Sequence, residues 1–150
     1  MDKDLIEILA LSLIVSFSSL AISCVIGIPI GTMLAIKRFS IRKPLLSIIN
    51  ALMGLPPVLV GLIVYLYLSR SGPLGWLGLL YTPTAMIIAQ VILVSPIIIA
   101  LSTQLIEDLH EDYRDLFLSL NVPQKRAVFA YIYDARYSLL TVVLAGFGRA

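Results

Sequence analysis

Three long stretches without a charged side chain, residues 8–36, 44–69 and 71–106, restrict what this chain can fold into more than any other feature. As a helix the first would rise roughly 43 Å, well over the ~30 Å hydrocarbon core of a bilayer. The second is also long enough to cross, and the third is too long for one crossing. The third opens on Ser71-Gly72-Pro73-Leu74-Gly75-Trp76-Leu77-Gly78, rich in turn residues and carrying a tryptophan suited to the headgroup region. That composition predicts an external loop over about 70–82 and a span from Pro83 to Gln104. A polar stretch follows, and apolar character resumes at Tyr137. Ala150 arrives before that fourth span is complete, as in a fragment of a longer chain. With 59% hydrophobic and 13% charged residues, the chain lies far from soluble domains, which run at about 45–50% and about 25%. A soluble core of this size could not hide so much apolar surface. The expected fold is therefore an all-α membrane protein: a polytopic helical bundle in one domain over 1–150. Its expected spans are about 8–36, 44–69, 83–104 and an incomplete 137–150, with a loop at about 107–136.

Basic side chains orient the bundle. Lys37, Arg38, Arg42 and Lys43 flank the first connection, and Arg114, Lys125, Arg126 and Arg136 lie in the third. Lys3 and Arg70 fall on the opposite side, and an eight-to-two split predicts that both basic connections are cytoplasmic. The N-terminus is then external. Its flank, Met1-Asp2-Lys3-Asp4, is acidic on balance, unlike the basic start of a signal peptide.

Within the spans, three features go beyond hydrophobicity. Ser19, Ser23, Gly27, Gly31 and Ala35 recur every four residues, which lays small side chains along one helix face. Lipid supplies no hydrophobic drive between helices, so such a stripe predicts close backbone packing. Gly54-Leu55-Pro56-Pro57 interrupts the second span. Adjacent prolines remove two amide donors and predict a kink or break, which in a membrane is tolerated where it is buried in protein or lines a wet cavity. Pro56 and Pro57 are therefore pathway-lining candidates, although a purely structural kink has the same sequence signature. Pro96 predicts a second bend. Arg149 follows twelve uncharged residues after Arg136, too deep to reach the interface easily. Such a charge must face a partner or water. An anion pathway and an acid beyond residue 150 are equally compatible with it.

The loop has a design of its own. Leu109, Tyr113, Leu116, Phe117 and Leu120 share one helical face, with His110, Glu111, Asp112, Arg114 and Asp115 on the other. Asn121 suits a left-handed helix end and Pro123 the first turn of a new helix over 124–133. Two short helices joined by a tight turn are expected. The apolar edge could enter a partner's groove or lie against the chain's own spans.

The segment Asp115-Leu116-Phe117-Leu118-Ser119-Leu120-Asn121, with the basic pair Lys125-Arg126 and Tyr133-Asp134 after it, resembles the EAA loop of ABC importer permeases. Asp115 stands at the Glu position, Leu116 and Phe117 at the two Ala positions, Asn121 at the Gly and Asp134 at the Pro. Leu55-Pro56-Pro57-Val58-Leu59-Val60-Gly61 and Ser69-Arg70-Ser71-Gly72-Pro73-Leu74-Gly75 resemble the molybdate and tungstate branch. Gly146-Phe147-Gly148-Arg149-Ala150 resembles the start of that branch's pore-lining span. The resemblance implies a pore made with a second permease copy in a prokaryotic plasma (inner) membrane. It implies cytoplasmic ATPase subunits seated on Tyr113, Asp115, Leu116, Phe117, Leu120 and Asn121, and an extracytoplasmic binding protein that delivers an oxyanion, tungstate first by resemblance.

The chain carries no Gly-x-x-x-x-Gly-Lys-Ser/Thr with which to cradle ATP phosphates. No catalytic constellation or metal-ligand spacing stands out, Cys24 has no partner, and His110 reads as a surface residue. Neither an enzyme nor a resident cofactor is expected. The net charge of +2 gives no argument for nucleic acid. An ion-coupled carrier or channel is the alternative, disfavoured because the spans lack carboxylates.

Overall fold

The computed structural model describes residues 2–150, with side chains from Asp4 onward. Helix α1 covers Asp2–Ile36, α2 Arg42–Met53, α3 Pro57–Leu68, α4 Pro83–Ser119, α5 Gln124–Asp134 and α6 Arg136–Phe147. A single 3-10 turn at Gly75–Leu77 interrupts the loop between α3 and α4, and no strand occurs among the described residues. Among the described residues two helices are long and apolar enough to cross a membrane, α1 and α4, or up to four crossings if each bent pair counts as one. The wide exposure of large side chains such as Val25, Val58, Leu62 and Leu144 suits a surface wetted by lipid rather than water.

α1 and α4 form the spine. Small residues let the two backbones close up. A methyl group added at Gly31 would lie 2.8 Å from Ile99 O and 2.8 Å from Ser102 Cβ, and one at Gly27 would lie 2.7 Å from Ile98 Cγ2. Ser19 and Ser23 are fully buried on the same α1 face, and Ala35 is buried near its C-terminal end. α6 completes a three-helix contact, because fully buried Ile98 also packs where a methyl group on Gly146 would stand 2.6 Å away. Half-buried Cys24 lies beside this cluster.

The paired prolines break the run 44–69 as the sequence predicts: α2 and α3 meet at 100° across residues 54–56. Pro56 and Pro57 cannot donate to the turn before them, so the helix ends rather than curves. The 107–136 loop, against expectation, does not begin with a separate short helix. α4 continues without interruption to Ser119, because Leu105, Ile106, Leu109 and Tyr113 extend its buried face past the first charges at Glu107 and Asp108. At 37 residues it is roughly 55 Å long, far more than the ~30 Å core. Pro96 lies buried within α4, and the helix passes through it unbroken.

Both basic connections lie at one end of the bundle. Arg42 Nε donates to Leu34 O at 2.7 Å, and its Nη2 approaches Glu107 Oε1 to 2.7 Å. That approach is an ion pair by proximity, since the Nη2 hydrogens are not aimed at the carboxylate. Arg42 thereby ties the end of α1, the start of α2 and the outgoing half of α4 together. At the other end the 69–82 loop folds onto α3, with Leu74 N donating to Tyr67 O at 3.0 Å. Gly72 is required there, because a Cβ would collide with the carbonyls of Leu66 and Tyr67.

Candidate functional site

The loop site is built on a helix end. Asn121 adopts φ 51°. Val122 N donates to Phe117 O at 3.0 Å and Asn121 N to Leu118 O at 3.3 Å, the paired bonds of a Schellman motif. Asn tolerates the left-handed conformation better than most side chains, so α4 stops here and the chain reverses. Pro123 stands just before α5 rather than in its first turn. Its carbonyl accepts from Arg126 N at 2.9 Å and Ala127 N at 3.2 Å.

The expected apolar edge of this segment divides in two. Leu109, Tyr113 and Phe117 turn inward and pack, with Val122, against a buried cluster of Ala35, Ile106, Ala127, Tyr131, Ala135 and Leu139. Phe117 lies between Tyr113 (ring centroids 5.8 Å apart) and Tyr131 (5.5 Å). Tyr131 is 2% exposed, and its hydroxyl meets His110 Nδ1 at 3.0 Å. His110 is thus not the free surface residue expected from sequence. Leu116 and Leu120 remain exposed, together with Asp115 and Asn121. Leu118 and Phe129 add exposed apolar surface that the sequence reading missed. The signal for Phe129 was available: Ala127, Tyr131 and Ala135 recur every four residues as the inward face of α5, and Phe129 points away from it.

A polar strut closes the loop. Tyr113 Oη donates to Asp134 Oδ2 at 3.1 Å. The hydrogen bond to Asp134, then its negative charge, raises the Tyr113 pKa above the usual tyrosine value. Tyr131 is raised as well, by burial.

The second site is the break. A helix carbonyl expects its donor four residues later, so Met53 O loses its partner to Pro57. Leu55 O lacks one because Leu59 N donates to Pro56 O instead. Arg149 Nη2 supplies both, donating to Met53 O at 3.3 Å and to Leu55 O at 2.8 Å. Its Nε is buried without a hydrogen-bond partner among the described residues. Neither role weighed from the sequence, an anion route or a distant acid, anticipated a backbone partner. No local pattern relates two positions 94 residues apart. Pro56 and Pro57 themselves are exposed.

The stripe on α1 also carries polar links. The Ser19 hydroxyl donates to Gln90 Oε1 at 2.8 Å, and Gln90 Nε2 donates to Ala150 O at 2.8 Å. Ser95 donates to Ser23 at 3.3 Å. Gln90 stands alone among apolar neighbours, and no sequence pattern marks its partners 71 and 60 positions away. Among the described residues no group of three or more His, Cys, Asp or Glu could hold a metal ion.

The sequence profile of binding-protein-dependent transport system inner membrane components matches residues 27–148. The chain belongs to that family. A probable anion ABC transporter permease protein of Haloferax volcanii is 38% identical over 146 residues, covering 97% of this chain and 63% of the relative. A tungstate uptake system permease protein of Peptoclostridium acidaminophilum is 35% identical over 149 residues, covering 99% and 65%. Another from Campylobacter jejuni is 38% identical over 112 residues, covering 75% and 47%. The chain thus spans less than two thirds of the length of these relatives. The family range takes in the α1–α4 contact from Gly27 onward, the break and the whole loop.

Proposed function

We propose that the protein is the membrane-spanning subunit of an ATP-driven importer that moves tungstate or a closely related oxyanion inward. The observation that carries this reading is α4, a single continuous helix running from the lipid-embedded α1–α4 contact to an exposed reversal at Asn121. A lever of this kind suits a subunit driven from outside itself. The named relatives support the cargo: one transports an unspecified anion and two take up tungstate, by their names. Cytoplasmic ATPase subunits sit on the face presented by Asp115, Leu116, Leu120 and Asn121. Tyr113 and Phe117 support that face from within by fixing α4 against α5. A second copy of the chain completes the pore, and an extracytoplasmic binding protein delivers the anion. Pro56 and Pro57 line the route, and Arg149 both braces the break and sets a positive charge beside it.

Replacing exposed Leu116 with Asp tests the docking. A carboxylate buried at a desolvated contact costs several kcal/mol, so co-purification of the ATPase and coupled tungstate uptake should both fall. The Leu116 side chain is half exposed, so the subunit itself should insert and fold normally. Full co-purification and full uptake by Leu116→Asp would remove the docking face from this reading.

A further inference from the structure

On the side of α1 away from the stripe, a cavity of about 420 Å³ opens between the cytoplasmic half of α1 and the edge of α5 that carries Gln124, Val128 and Ile132. Its volume falls in the range of small-molecule sites, roughly 300–1,000 Å³. The walls are mainly apolar, with Ile28, Met33 and Ile36 from α1 and Val128 and Ile132 from α5, and Thr32 and Gln124 add two polar side chains. Among the described residues Lys37 and Lys125 are the only charged ones lining it, and both are exposed. Lys37 directly follows the last turn of α1, and Lys125 lies in the first turn of α5. The cavity is therefore mainly apolar along its length and positive at the end where the membrane gives way to the basic connections.

Its depth matches one leaflet. From Ile28 to Lys37 a helix rises roughly 13 Å, against roughly 15 Å for half of a ~30 Å hydrocarbon core. A soluble anion would gain nothing from the apolar walls, and a zwitterionic lipid would bring its own cation beside the two ammonium groups and so offset part of the attraction of its phosphate. We propose that this groove binds an anionic phospholipid of the cytoplasmic leaflet, one acyl chain lying between α1 and α5 and the phosphate meeting Lys37 and Lys125. The inference rests on the membrane placement of α1 and not on the identity of the transported anion.

Native mass spectrometry of the full-length protein, released from micelles holding equal phosphatidylglycerol and phosphatidylcholine, tests the preference. The wild type should retain a phosphatidylglycerol adduct. A basic side chain near an anionic surface is worth about 1 kcal/mol, about fivefold in affinity, so Lys37→Gln and Lys125→Gln should each weaken retention about fivefold. Lys37→Arg with Lys125→Arg should restore it. Location is read separately, from a Met33→Trp reporter in a Trp76→Phe background in nanodiscs. Its fluorescence should be quenched more by brominated phosphatidylglycerol than by brominated phosphatidylcholine. Equal retention or equal quenching by the two lipids would overturn the proposal. So would a reporter quenched by neither, which would mean that protein, from a second copy or another segment, covers the groove.

Discussion

Arg149→Met removes both donors at the break while nearly keeping the side chain's length. Arg149 Nη2 serves Met53 O and Leu55 O at 3.3 and 2.8 Å, and hydrogen bonds to charged groups contribute about 1.5–3 kcal/mol each. Two give a ceiling of about 3–6 kcal/mol. The 3.3 Å bond is long, and carbonyls released inside a membrane find some alternative partners, so the lower end, about 3 kcal/mol, is the expected loss. Arg149→Lys keeps the charge without the planar fork and should lose about half as much. The assay is reversible unfolding of the full-length subunit in mixed micelles, run beside tungstate uptake per assembled complex. A further arm tests the cause. In a Pro56→Ala/Pro57→Ala background the amides return, Met53 O regains a local donor, and the cost of Arg149→Met should shrink by at least 1 kcal/mol. A loss below about 1 kcal/mol for Arg149→Met, or the same loss in both backgrounds, would refute the bracing argument. Normal uptake by well-assembled Arg149→Gln complexes would separately remove the residue from the anion route.

Gly31→Ala should lower stability by about 1–3 kcal/mol, because its methyl group meets the Ile99 carbonyl at 2.8 Å. Gly61→Ala, where a Cβ meets nothing within 4 Å, should be neutral or stabilising by up to about 1 kcal/mol; equal effects at the two sites would deny the close α1–α4 approach. The Tyr113 phenol, raised by Asp134, keeps its proton to higher pH folded than unfolded. Its contribution is therefore complete below the unfolded tyrosine pKa and fades as pH climbs through the folded one. In an ultraviolet titration Asp134→Asn should bring Tyr113 ionisation down in pH, and no change would dismiss the strut. In a Cys24→Ser background, a cysteine at Ser40 should resist an impermeant external reagent in intact cells while one at Ser71 reacts. The reverse pattern would invert the topology.

The sequence alone determined the solvent and most of the punctuation. Uncharged runs of crossing length leave lipid as the only place for the first and third spans. The paired prolines end a helix wherever they stand, because a missing amide is a local fact. Asn121 marked the reversal for a similarly local reason. The four-residue recurrence of Ser19, Ser23, Gly27, Gly31 and Ala35 announced a packing face without naming what packs there. Tertiary structure decided the partners. It set α4 against the stripe, and it turned Phe117 inward while leaving Leu116 out. That division could not be read from periodicity, since both residues share one broad apolar edge and only the position of α5 separates them. It also paired Arg42 with Glu107 and Arg149 with the carbonyls of the break. Those contacts join residues 65 to 96 positions apart. A local pattern constrains only residues a few positions away, whereas a carbonyl orphaned by proline accepts whatever donor the packed bundle brings to it.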